Sequence, residues 1–245
     1  MSVKIGTIIQ ARMGSTRLPG KVMKDLGGET VLARVVNRVR RAQVAGEIVI
    51  ATTRISSDDV IAEECRRLSV PCFRGEEEDV LDRYYRAAQL YAADAVVRIC
   101  ADSPMIEPEV CDGVIRQFLD HRPDYASNTV LKTYPLGLDT EIMSTEALTQ
   151  AWRAAKESYQ RAHVTPYIYE HADQFNVRHV RAQADYSYYR WTLDTPEDLA
   201  FLRAVYARFD NDDRFHWRDV IALLECEPEL LTLNSHVTAK ALQEG

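Results

Sequence analysis

The first half of the chain alternates between continuous apolar runs and apolar positions at helical spacing. Residues 3–11 form a β-rich run (Val3, Ile5, Thr7, Ile8, Ile9) that breaks at a loop holding Gly14, Pro19 and Gly20. Val31, Leu32, Val35, Val36 and Val39 then recur on one helical face, with arginines on the other. A second apolar strand is expected over 47–52, and a helix over 57–68 with Ser56 or Ser57 as N-cap. A short strand at 70–73 follows, then an amphipathic helix at 79–91 through Val80, Leu81, Tyr84, Ala88 and Tyr91. The next strand is 95–100, with a loop around Pro104 and a helix from Pro108 to about Leu119. Strand–helix alternation repeated four times, with strands apolar on both faces, predicts an α/β fold: a mostly parallel sheet in a three-layer, Rossmann-like arrangement with helices on both faces.

After Asp124 the rhythm changes. Strands are expected at 139–143, 175–181 and 188–194, with a helical stretch from Thr145 to about His171. A helix over 196–208 has Thr195 as N-cap and Glu197 and Asp198 in its first turn, where they complement the helix dipole. A further helix spans 217–224, and the last few residues are expected to fray. No internal repeat or low-complexity linker divides the chain, so residues 1–245 read as one domain.

Length and composition narrow the function. A chain of 245 residues can bury a full core. The net charge of -7 disfavours a general nucleic-acid partner, because phosphate-backbone affinity comes from clustered lysine and arginine. Five cysteines without a C-x-x-C pair suggest neither a disulfide framework nor a zinc site, and read as small apolar residues in a reducing compartment. The apolar run at 5–9 is too short for a signal-peptide core, and nothing approaches the ~20 apolar residues of a membrane span. A cytoplasmic protein is expected.

The richest chemistry lies in the first loop, Gln10-Ala11-Arg12-Met13-Gly14-Ser15-Thr16-Arg17-Leu18-Pro19-Gly20-Lys21. Following the first strand, it belongs at the carboxyl ends of a parallel sheet, where ligands of open α/β folds bind. Backbone amides around two glycines, the hydroxyls of Ser15 and Thr16, and the cations Arg12, Arg17 and Lys21 suit a polyphosphate. The alternative is a solvated basic turn. Neither G-x-x-x-x-G-K-[ST] nor G-x-G-x-x-G is present, which disfavours P-loop and dinucleotide enzymes.

Several other residues carry candidate chemistry. Asp102 and Asp194 stand at expected strand ends, where oxygen ligands for magnesium belong; alternatively they cap a turn before Pro104 and the helix at Pro196. Asp139 and Glu141 alternate on one expected strand and suit acceptor hydroxyls or general-base work; the alternative is a solvent-facing edge. His163 is a candidate acceptor contact or a satisfied surface or core histidine. Arg98, within an apolar strand, either points to phosphates or pairs with an acid. Arg74, Asp82 and Arg83 border the third strand and the next helix as candidate nucleotide contacts.

Four stretches together resemble a known family. They are the loop from Ile9 to Lys21; Phe73-Arg74-Gly75 with Glu78-Asp79-Val80-Leu81-Asp82-Arg83-Tyr84; His163-Val164-Thr165-Pro166-Tyr167; and Arg190-Trp191-Thr192-Leu193-Asp194-Thr195-Pro196-Glu197-Asp198. The first resembles the signature of the sugar cytidylyltransferases, such as the 3-deoxy-manno-octulosonate and N-acylneuraminate enzymes. The set is similar to the spore coat polysaccharide biosynthesis protein F group, over residues 3 to about 208. The resemblance implies a nucleotide-diphospho-sugar transferase fold and magnesium-dependent transfer of CMP from CTP to a sugar-like acceptor, in surface polysaccharide precursor synthesis. It implies Asp102 and Asp194 as metal ligands, and Lys21 and Arg12 as catalytic cations. Ala11, Arg12, Gly14, Ser15, Arg17 and Lys21 would bind nucleotide. It also implies a homodimer, with 131–171 as a dimerisation or acceptor-side excursion. One departure is Ala101, where the pattern usually has Gly. A nucleotide-sugar glycosyltransferase and a non-catalytic nucleotide-binding protein are the rival readings.

Overall fold

The computed structural model describes residues 3–238; the expected fraying of the last few residues falls outside them. Strand β1 (Ile5–Gln10) is followed by a small hairpin, β2 (Asp25–Leu26) and β3 (Glu29–Thr30), and helix α1 (Val31–Val39). Then come β4 (Glu47–Thr53), α2 (Asp59–Arg67), β5 (Cys72–Gly75), α3 (Val80–Leu90), β6 (Ala95–Cys100) and α4 (Pro108–His121). The second half contains β7 (Tyr125–Ser127), β8 (Glu141–Ser144), α5 (Thr145–Ala154), α6 (Ser158–His163), α7 (Pro166–Glu170), β9 (Val177–His179), α8 (Pro196–Arg208) and α9 (Trp217–Cys226).

The main sheet has seven strands in the order β5-β4-β1-β6-β8-β7-β9. β1 pairs in parallel with β4 and β6, β4 with β5, and β7 with β9; β8 alone runs antiparallel, between β6 and β7. Alternate residues feed two cores. Ile5, Ile9, Val97, Ile99 and Ile142 pack with α1, α2 and α4 on one face. Ile8, Val96 and Met143 pack with α3, α5 and α7 on the other. This is the expected mostly parallel sheet covered on both faces. A third cluster joins α8 and α9 to Tyr189, Trp191 and Leu193 and to Leu18 of the first loop. Burial of apolar surface at about 25 cal/mol per Å² makes these clusters the main source of stability. No helix among the described residues is long and apolar enough to cross a membrane.

Several expectations change. No strand forms at 188–194: the chain there is extended but pairs with loops, through Trp191 N–H to Leu136 O (2.7 Å) and Leu193 N–H to Asp102 O (2.8 Å). Gly137, at φ +108°, permits that approach, since a Cβ there would lie 2.8 Å from Trp191 backbone. The helical stretch from Thr145 to His171 is three helices, interrupted before Ser158 and at Val164. The strand expected at 139–143 starts only at Glu141, so Asp139 lies in the turn before it. The strand expected at 175–181 is confined to Val177–His179. The cap expected from Ser56 or Ser57 is not made: Ser56–Asp58 form a 3-10 turn, α2 starts two residues later than expected, and Asp58 turns its carboxylate to the first loop instead. Thr195 does cap α8, in a reciprocal box with Asp198. Residues 131–171 supply β8 and the three helices α5–α7. All five cysteines are free; Cys65 and Cys111 are buried, whereas Cys226 is exposed.

Candidate active site

The carboxyl ends of β1 and β6 open into a cleft of about 390 Å³. Its floor is the loop after β1. That loop is closed by Ser15 N–H and Gly20 N–H, each 3.0 Å from Met13 O, while Met13 N–H donates to Asp58 Oδ1 at 2.9 Å. Gly20 takes a left-handed conformation (φ 66°), which side chains with a Cβ resist. It starts a short 3-10 turn, Lys21–Met23, whose first side chain enters the cleft. Asp58 was not singled out from the sequence, where Ser-Ser-Asp-Asp reads only as a cap. Buried beneath the loop, it also accepts from Thr52 Oγ1 and Thr53 Oγ1 at the end of β4. Burial pushes its carboxyl up, but the bonds from Thr53, Met13 and Thr52 outweigh this and hold it below its ordinary value.

Lys21 joins the two distant acids. Its Nζ lies 2.7 Å from Asp102 Oδ2 and 2.8 Å from Asp194 Oδ1. Arg17 and Arg190 approach the other Asp194 oxygen at 3.0 and 2.9 Å. Asp102 is carried by the turn after β6, tied to β1 by Ala101 N–H on Gln10 O at 3.0 Å. Its own carbonyl accepts from Leu193 N–H and Thr192 Oγ1, which brings the 190–194 segment alongside. Asp198, fully buried, completes the support: it accepts from Arg190 and from the amides of Asp194 and Thr195. Burial alone would lower the Lys21 pKa, yet Asp102 and Asp194 raise it above the ordinary lysine value. Burial likewise pushes Asp194 up, but Lys21, Arg190 and Arg17 hold it below the ordinary carboxylate value. The site is an ion cluster, charged on both sides and open to the cleft, with 26% of the Asp102 side chain and 23% of Asp194 exposed.

Ala11, Arg12, Gly14, Ser15, Arg17, Lys21, Arg83, Asp102, His163 and Asp194 all line this cleft. Arg12 is exposed at its lip and forms no ion pair among the described residues. Arg83 is 2% exposed and donates to Glu76 O at 3.1 Å. Other candidates lie outside the cleft lining. Arg74 is occupied by Thr53 O (2.7 Å), Ile55 O (2.9 Å) and Asp59. Asp82 holds Trp152 Nε1 at 2.9 Å and Arg86 at 2.6 Å. Glu141 is 3% exposed and accepts from Arg98, Tyr125 Oη and Thr165 Oγ1. Arg98 therefore pairs with an acid. Asp139 sits partly exposed in its turn; burial, with Glu141 and Asp102 nearby, pushes its carboxyl up to about 6 despite Lys132. Glu77, which no sequence signal marks, and Glu78, a motif position only, also line the cleft. Arg190 is legible only as a motif position and Asp198 also as a helix first-turn acid; their roles depend on contacts across 190–198.

Known proteins resemble this chain in sequence and in fold. A family model described as cytidylyltransferase matches residues 7–216. An uncharacterized protein of Methanocaldococcus jannaschii is 38% identical, over 99% of this chain and 99% of its own. The spore coat polysaccharide biosynthesis protein SpsF of Bacillus subtilis is 34% identical over 92% of this chain and 95% of that protein. Among solved structures, a cytidylyltransferase from Leptospira borgpetersenii superposes with a TM-score of 0.91 at 31% identity, covering 98% of this chain and 100% of that one. A CMP:2-keto-3-deoxy-manno-octonic acid synthetase complexed with CTP shares the fold, with a TM-score of 0.65 at 16% identity, over 84% of this chain and 99% of that one. With the loop, the two acids and the sheet that joins them all accounted for, the chain belongs to the cytidylyltransferase family and is a nucleotidyltransferase.

Proposed function

We propose that this enzyme transfers CMP from CTP to an oxygen of a sugar or sugar-acid acceptor and releases pyrophosphate. The observation that carries the reading is the meeting of Asp102 and Asp194 on one lysine ammonium, over a loop built for phosphates. The preference for CTP is supported by family membership and by the CTP named with the octonic acid synthetase. A place in surface polysaccharide synthesis is supported by the name of the Bacillus relative.

The residues fit a magnesium ion. Both acids are hard oxygen donors facing the cleft, and magnesium is usually held by one or two carboxylates plus phosphate and water. No group of three or more His, Cys, Asp or Glu converges to hold a metal among the described residues, so Asp102 and Asp194 would hold the ion together with substrate oxygens and water. Bound there, the ion would withdraw charge from the α-phosphate.

The chain's own residues do the rest. Lys21 and Arg17 exchange their carboxylate partners for phosphate oxygens, and Arg12 adds charge at the lip. The acceptor hydroxyl oxygen bonds to the α-phosphorus and gives up its proton to water, as the bridge to the β-phosphate breaks and its electron pair leaves with pyrophosphate. Alignment and charge stabilisation, not covalent help, are what such transfer asks of a protein. Asp139 and His163 stand as acceptor-side candidates, Glu141 as support beneath them, and a homodimer is part of the proposal. The test incubates purified protein with each nucleoside triphosphate, Mg²⁺ and a panel of sugar acids and aldose derivatives, reading pyrophosphate. CTP-selective, acceptor-dependent release is expected; release equal for all nucleotides, or none, sinks the reading.

A further inference from the structure

His163 reaches the cleft from an unusual piece of backbone. Val164, between α6 and α7, has φ 74° and ψ −55° and is fully buried. Thr165 N–H closes back on His163 O at 2.9 Å. This is a γ-turn in its positive-φ form, which a β-branched residue adopts only when its surroundings enforce it. The enforcing contacts are on both sides of the turn. Before it, Arg161 of α6 donates to Asp79, the N-cap of α3, and to Trp152 O at 2.7 Å. After it, Thr165 Oγ1 donates to Glu141 Oε1 at 2.6 Å.

Glu141 is itself immobilised. It stands opposite Arg98 in the β6–β8 register, pairs with that guanidinium, and also accepts from Tyr125 Oη of β7. Glu141, Tyr125 and Thr165 are buried and none of them lines the cleft, whereas His163 does. We propose that Glu141 and Thr165 are positioning residues: they transmit the fixed geometry of the sheet to the γ-turn and so present the His163 imidazole to the acceptor side of the nucleotide cleft. The assignment of a side of the cleft rests on the transferase reading; the mechanical link between sheet and imidazole does not.

The link is tested on the full-length protein labelled with ¹³C-histidine, with the His163 Cε1–H signal assigned by its loss in His163→Gln. Thr165→Val removes only the hydroxyl donor and keeps the shape; Thr165→Ser restores the donor. In Thr165→Val the His163 signal is expected to move or broaden, its titration midpoint to shift by about 0.5 pH unit or more, and its response to CTP with Mg²⁺ to be lost. Thr165→Ser should behave as wild type, and calorimetric CTP affinity should stay within about twofold in both Thr165 variants. Tyr125→Phe, which loosens Glu141 from the other side, is the second variant should Thr165→Val fail to fold, and should move the signal similarly. An unchanged His163 signal and titration in a folded Thr165→Val or Tyr125→Phe protein overturns the proposal, as does identical behaviour of the Val and Ser variants. A wild-type protein that binds no CTP defeats the transferase reading instead, while the titration comparison still decides the link.

Discussion

Two charge clusters lie at the carboxyl end of the sheet, and they are built to opposite ends. In the cleft, Lys21, Arg17 and Arg190 surround Asp102 and Asp194, half-open to solvent. Deeper, Arg98 and Glu141 are closed in by Tyr125 and Thr165. Both use the same side-chain chemistry. Water reaches the first, so on the proposed function its contacts are the ones that would be traded for phosphates. The second has no such route, because a buried charge that loses its partner has no solvent to turn to. Burial and saturation of hydrogen bonds, not residue type, separate the open cluster from the closed one.

The sharpest way to break that contrast is to substitute within the open cluster. Asp102→Asn, Asp194→Asn and Lys21→Ala should each lower CTP-dependent pyrophosphate release at least ~100-fold, about 2.7–4 kcal/mol of barrier, with circular dichroism and melting temperature close to wild type. Full activity in any of them removes that residue from the mechanism. In the closed cluster, Arg98→Met should act on stability instead, costing about 3–5 kcal/mol in urea denaturation because Glu141 is left charged and buried. A variant as stable as wild type would show that the closed cluster is not closed.

Asp139, between the two clusters, gives a pH-dependent test. Its folded-state pKa, about 6, lies above the ordinary value of 3.8. The protonated form is favoured by folding, so this stabilisation is full below the unfolded pKa and is lost as pH rises through about 6. Asp139→Asn should therefore stabilise the protein at pH 7.5 by about 1–3 kcal/mol, with the gain shrinking to nothing near pH 4. A gain that grows on acidification would reverse the assignment. The smallest contrast compares two arginines that the sequence offers as nucleotide contacts, Arg12 in the cleft lining and Arg74 outside it. Arg74→Ala, with its guanidinium committed to Thr53 and Ile55 carbonyls, should change CTP affinity less than about twofold, whereas Arg12→Ala should weaken it about tenfold, or 1.4 kcal/mol. Calorimetry distinguishes them.

What was legible in the sequence was whatever local spacing controls. The strand at 95–100 and the helix at 196–208 are found where their apolar runs and caps place them. The first loop is legible because its glycines, hydroxyls and cations are contiguous. The segment at 188–194 misled because β-branched and aromatic residues fit any extended, half-buried chain, and only a neighbouring strand would make it a strand. Arg74, Asp82 and Glu141 were placed near ligands by sequence proximity, yet nearby carbonyls, an indole, arginines and hydroxyls claim them.

The sequence by itself determined the strand–helix alternation of the first half, the layered α/β class and the cationic, glycine-bearing make-up of the loop after β1, because each depends on neighbours within about one turn or one strand. The tertiary structure alone decided which charges meet. Lys21 and Asp194 are 173 positions apart, and Arg98 and Glu141 are 43 apart. Their pairing follows from strand order, from Gly137 letting the 190–194 segment approach, and from which carboxylates the packed core excludes from water. No local pattern encodes those distances, and the difference between an ion cluster open to the cleft and one closed in the core is fixed there.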